Sequence, residues 1–237
     1  MFEAILYFKI MKINIVFIAN NDSVLKKDLD FVGDVIRKHA KKVKNLLPFK
    51  IDNFTFTLYA WEKDGIAAFT QAIDWVDVKI NYQQFFSKGK PKKDLLDQLI
   101  YIIYHEMHHA CRGYAGILPK KKEHILINSI ISEGLADHFA LEQYSSKFLK
   151  ETKSFDFSEI SKWIDELGKV MWNKESANDS WLFGGREKPK LLGYKIGRYI
   201  IQQIKEKNSK FNSVNLVKAT PEKILKLSGI DFHSVKK

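Results

Sequence analysis

The chain has 237 residues, 45% apolar and 28% charged, which fits a folded globular protein and excludes a disordered tail, a collagen-like repeat or a disulfide scaffold. Its single cysteine, Cys111, permits no internal disulfide, and no apolar run reaches the roughly 18 residues of a membrane span. The formal charge of +11 comes from 39 basic residues, of which 35 are lysine, against 28 acidic ones. Lysines spread along the chain, with small clusters at 41–44, 88–93 and 120–122, read as a solvated surface; nucleic acid or an anionic membrane is the partner class such a charge keeps open.

The first ten residues carry Glu3 where a secretory leader has positive charge, and Lys9 and Lys12 interrupt the apolar run. A cytoplasmic location is expected, with Met11 as a second candidate start. Residues 4–18 read as a strand region, clearest at 12–18. Residues 23–47 place Leu25, Leu29, Val32, Ile36 and Val43 at helical spacing, opened by Asp22 or Ser23 and stopped before Pro48. Residues 53–60 alternate with period two and are rich in β-formers, 63–65 read as a turn and 75–82 as another strand. Within 65–82 the small residues Gly65, Ala67 and Ala68 leave room for an extended peptide to add beside an edge strand. After a break at 89–91, helices are predicted at 93–112, 122–147, 157–173, 190–207 and 221–228, the last with Pro221 in its first turn. Strands first and helices after predict an α+β fold. One domain over 1–237 is expected, with a sheet-bearing lobe at 1–91, a helical lobe at 92–237 and a shared cleft.

Residues 105–109 read HEMHH, which contains the pattern H-E-x-x-H. Positions i and i+4 differ by about 40° around a helix, so His105 and His109 leave the same face one turn apart, as two ligands of one zinc ion must. Glu106, about 100° round, can take a proton from a water that the metal activates. The preceding stretch is apolar nearly all round, so the helix is a core element, and two imidazoles and a carboxylate at its end need partners. A third histidine at the spacing of one zinc-protease pattern is absent, since Arg112 and Ala115 stand at its glycine and histidine positions. The alternative third ligand is Glu133, acidic within an otherwise apolar stretch and 24 residues after His109, enough for a returning helix. Asp137, four residues on, shares its face and can accept the outer ring N–H of a ligand histidine, with His105 the favoured one.

HEMHHACR followed by ISEGLADHFA resembles the predicted zinc-dependent proteases catalogued as a bacterial domain of unknown function, which share H-E-x-H-H and E-G-L-A with the wider gluzincin group. A later stretch, Leu182-Phe183-Gly184-Gly185, Pro189 and then Leu192-Gly193-Tyr194-Lys195-Ile196-Gly197, is similar to that family's third block, although the family usually has an aromatic residue where this chain has Leu191-Leu192. The resemblance covers about residues 60–205. It implies a zincin-like fold, with His105, His109 and Glu133 as zinc ligands and Glu106 as catalytic base.

Tyr194, at a glycine-flanked helix start, is the candidate donor to the oxyanion formed when water adds to a carbonyl. Arg198 reads as a surface residue or a carboxylate-binding one. His108 reads as a partly exposed helix residue or a contact near the metal. His39, His124, His138 and His233 have no assigned partner, and Cys111 reads as a small buried side chain. The expected function is zinc-dependent hydrolysis of peptide bonds, with Zn2+ as cofactor and a peptide or protein as substrate. The alternatives are a zinc-containing regulatory or nucleic-acid-binding protein without peptidase activity, and a zinc hydrolase acting on a non-peptide.

Overall fold

The computed structural model describes residues 11–18, 24–87, 89–114, 125–152, 157, 160–173, 178–185 and 187–232. Asp22, Ser23, His124 and His233, and residues 4–10 of the expected first strand, lie outside the described residues. The elements in chain order are β1 (Lys12–Ile18), α1 (Lys26–Leu46), β2 (Asn53–Ala60), β3 (Ile66–Ala72), β4 (Trp75–Ile80), α2 (Tyr82–Phe85), β5 (Phe86–Ser87), β6 (Lys90–Pro91), α3 (Lys93–Arg112), α4 (Leu126–Gln143), α5 (Lys147–Thr152), α6 (Ile160–Val170), α7 (Asn178–Phe183), α8 (Leu192–Lys207), α9 (Ser213–Leu216) and α10 (Pro221–Ser228). The fold is mixed α+β, a small sheet followed by a mainly helical part.

The main sheet has the order β1-β2-β4-β3. β1, β2 and β4 run parallel, and β3 lies antiparallel to β4 on one edge. Period-two alternation fills its inner face: Phe54, Phe56 and Leu58 on β2 and Val76, Val78 and Ile80 on β4 are all buried. α1 and α3 pack on that face. α1 buries Val32, Ile36, Ala40 and Val43 at helical spacing and ends at Leu46, ahead of Pro48. α3 is buried nearly all round, as its sequence requires, and stops at Gly113, whose φ of 87° lets its amide close on Ala110 and His109.

α4 returns antiparallel along α3. The side-chain pairings His109–Ser132, Tyr101–Asp137 and Asp97–Tyr144 step in opposite directions along the two helices. The predicted single helix at 122–147 is two helices: Tyr144 is extended, and the Ser146 hydroxyl accepts the Leu149 amide to open α5. The third predicted helix, 157–173, is confined to α6 at Ile160–Val170. α7 and α9, of six and four residues, were not predicted, because so short a helix shows too little periodicity to read.

α8 crosses α4 in backbone contact. A Cβ on Gly134 would sit 2.3 Å from the carbonyl carbon and oxygen of Gly197, and one on Gly197 would sit 2.2 Å from the Ile130 carbonyl oxygen. Two apolar clusters meet along α4. One includes the inner sheet face, α1 and α3; the other joins α4 to α6, α7, α8 and α10. Gly134→Ala is expected to force the helices apart and cost about 2 kcal/mol or more, read as a lower midpoint in chemical denaturation with the slope unchanged.

Candidate metal centre

On α3, His105 and His109 present their Nε2 atoms 3.0 Å apart. The Glu133 Oε2 atom from α4 lies 3.2 Å from the first and 3.3 Å from the second. All three side chains are buried. Three atoms that each carry a lone pair thus point at one spot, an arrangement that is costly unless a cation or a shared proton lies between them. Among the described residues, these three form a group whose ligand atoms can reach one metal ion. Two imidazoles and one carboxylate are a donor set that suits zinc.

Groups behind the imidazoles orient them. His109 Nδ1 lies 3.2 Å from the Ser132 hydroxyl, and His105 Nδ1 lies 3.1 Å from Asp137 Oδ1. Engaging each Nδ1 outward leaves each Nε2 lone pair facing the shared spot. Asp137 is itself held on two sides. It accepts the Tyr101 hydroxyl, and its Oδ2 lies 3.0 Å from Arg198 Nε. Arg198 is 5% exposed, so the reading of a surface arginine is corrected: Gly197 brings this part of α8 against α4 and delivers the guanidinium to Asp137.

Without a metal, burial disfavours charge on His105, but hydrogen bonds with Asp137 and Glu133 outweigh it and raise the pKa to about 10. Burial likewise opposes charge on Glu133, yet the His109 charge and hydrogen bonds from both imidazoles lower its pKa to about 2. The site therefore favours net positive charge at its centre, which either a proton or a metal supplies.

Glu106 lies one residue beyond His105 and faces β3. The Thr70 hydroxyl donates to Glu106 Oε2 at 2.7 Å and lies 2.9 Å from the Glu106 carbonyl oxygen. The sequence reading missed Thr70. Ile66, Ala68 and Thr70 share the inward face of β3 and Thr70 is the polar one, but nothing in its spacing points to Glu106.

Tyr194, on the first turn of α8, faces the same cleft as His105, Glu106, His109 and Glu133. Burial, then the charges of Glu133, Asp137 and Glu106, push its pKa well above the usual phenol range, so the hydroxyl keeps its proton. Ahead of it Leu191, the N-cap residue just before α8, holds a left-handed backbone (φ 57°), a conformation that costs a non-glycine residue about 1–2 kcal/mol. His108 does not reach the cleft. It is 0% exposed, against the Phe139 ring at 5.4 Å, and burial keeps it neutral. This corrects its reading as a partly exposed residue.

The cleft has a volume of about 330 Å³. One wall is Ala68–Gln71 of β3; Tyr114, Leu182, Phe183 and Tyr194 complete it around the His–Glu cluster. A second hollow of about 340 Å³, between Arg112, Asn128, Trp172 and residues 217–222, meets it at Tyr114 but contains none of the candidate ligands or the base.

Residues 35–226 match a family described as "Predicted Zn-dependent protease (DUF2268)". The chain belongs to this family. A 108-residue segment is 30% identical to the uncharacterized protein YjaZ of Bacillus subtilis (strain 168), spanning 43% of this chain and 40% of that protein. The fold is similar to the crystal structure of an aminopeptidase N family protein from Idiomarina loihiensis, with a TM-score of 0.51 and 13% identity over 92% of this chain and 40% of that one. No helix among the described residues is long and apolar enough to cross a membrane.

Metal analysis of protein purified without a metal-affinity tag is expected to find about one zinc per chain, and Glu133→Ala to lose most of it. Its contacts with Asp137 and Glu133 favour the protonated form of metal-free His105, so an ion bound at Nε2 would have to displace that proton. Uptake at neutral pH should release a proton, measurable by titration calorimetry in buffers of different ionisation enthalpy, and affinity should weaken as pH falls.

Proposed function

We propose that the chain is a zinc metallopeptidase of gluzincin type, with His105, His109 and Glu133 holding the ion and Glu106 as general base. The whole chain is read as one zincin-like domain, its sheet-bearing and helical parts flanking the cleft. The observation that carries this reading is the convergence of His105 Nε2, His109 Nε2 and Glu133 Oε2 within 3.0–3.3 Å of one another, with Glu106 in the same cleft. A structural zinc site has no use for Glu106 held by Thr70 beside an open cleft.

When bound, zinc would polarise the peptide carbonyl and acidify the attacking water. Glu106 takes the proton of that water and passes it to the departing amine nitrogen. Thr70 positions the carboxylate by occupying Oε2, leaving the other oxygen for the water. Tyr194, held protonated by its surroundings, donates a hydrogen bond to the oxygen that gains charge as the carbonyl carbon becomes tetrahedral. Asp137, anchored by Tyr101 and Arg198, keeps the His105 ring in place. The four consecutive residues Ala68–Gln71 line the cleft wall, and β3 is the edge of the sheet among the described residues, so an extended peptide can pair with its backbone there.

Glu106→Gln is expected to keep its zinc and lose about a thousandfold in peptide turnover; full turnover with full zinc would overturn the mechanism. Thr70→Val should lower kcat about tenfold at unchanged zinc content and nearly unchanged KM, with Thr70→Ser restoring it.

A further inference from the structure

The identities of the cleft's remaining side chains decide which part of a peptide it can take. Among the described residues lining it, the acidic groups are Glu106 and Glu133, and the basic-type groups are His105 and His109. All four are engaged by the proposed metal and base. The other described residues that line it carry no charge. A divalent ion on two neutral imidazoles and one carboxylate leaves the centre with net positive charge. Of the carboxylates, Glu133 faces the metal position and the open oxygen of Glu106 is the one the attacking water needs, so a terminal ammonium paired there would block the proton transfer. A terminal carboxylate would find no lysine or arginine on those described walls to hold it away from the metal.

The apolar wall carries a second sign. Phe183 ends α7 and is 51% exposed, its ring 6.2 Å from that of Tyr194. It is held in place, because Gly193 of α8 admits Leu182 so closely that a Cβ there would meet the Leu182 Cα at 2.9 Å. A large aromatic ring kept half in water at the mouth of a cleft offers apolar surface to a ligand.

We infer that this centre recognises an internal, uncharged stretch of an extended peptide, with a large apolar side chain against Leu182 and Phe183, and cuts there as an endopeptidase. The inference rests on the metallopeptidase reading. In the reaction the water oxygen bonds to an internal carbonyl carbon, the C–N bond breaks, and the new amine takes the proton carried by Glu106. Both products are peptides.

The test separates recognition from turnover. Zinc-loaded Glu106→Gln protein is titrated by calorimetry with one decapeptide of alanine, serine and glycine carrying a single central phenylalanine. The peptide is used acetylated and amidated, with a free N-terminus, or with aspartate in place of phenylalanine. The blocked peptide should bind at least as tightly as the free one, and the aspartate peptide about tenfold more weakly. Phe183→Ser should remove that preference while zinc content stays constant. The wild-type protein should cut the blocked peptide internally, beside the phenylalanine, as read by mass spectrometry. Binding or release of terminal residues that requires a free amine would overturn the inference and leave the metallopeptidase reading standing. Tight binding of the blocked peptide with no cleavage would uphold the recognition and overturn the proposed reaction, and with it the endopeptidase assignment.

Discussion

The arrangement of the candidate site depends on one backbone contact, the crossing of α4 and α8 at Gly134 and Gly197. No side chain fits between them. That contact sets the distance at which the neighbours of both glycines meet α3. Glu133 precedes Gly134 and turns to the two histidines. Arg198 follows Gly197 and reaches Asp137, and Tyr194, one turn earlier on α8, faces the cleft. A wider crossing would separate the carboxylate, its supporting ion pair and the phenol from the imidazoles together.

The electrostatics build outward from the same place. Nitrogen and oxygen lone pairs converge on one point, and buried anions surround them in layers. Glu133 faces the centre, Asp137 stands behind His105, and Arg198 and Tyr101 hold Asp137. Burial alone would drive these groups neutral. Their mutual contacts reverse that for Glu133 and His105. A cluster that keeps its anions charged is prepared for a cation. Burial, and then the same charges, raise the Tyr194 pKa further, favouring the protonated state a hydrogen-bond donor needs.

Legibility differed by residue. The helical spacing of His105 and His109, the buried character of α3 and the acidic interruption at Glu133 all follow from local pattern. So did Asp137, because i and i+4 share a helix face. An arginine in a lysine-rich chain reads as surface; only the α8–α4 crossing buries Arg198 against Asp137. His108 was misjudged because its side of α3 meets Phe139 of another element. Thr70 lies 36 residues from Glu106, and pairing between a strand and a helix leaves no spacing signature. The break at Tyr144 depended on Ser146 acting as a cap, a choice that serine makes only in some contexts.

By itself the sequence determined the class of fold, the principal helices and strands, and the residue types able to bind a metal and move a proton, because these follow from periodicity and from chemistry within one or two helical turns. Only the tertiary structure decided that Thr70 holds Glu106, that Arg198 is buried against Asp137, that His108 lies away from the cleft, and that a half-exposed phenylalanine lines it. Those facts are contacts between segments far apart in the chain, and they are set by how closely the helices pack, which at Gly134 and Gly197 is decided by the absence of a side chain.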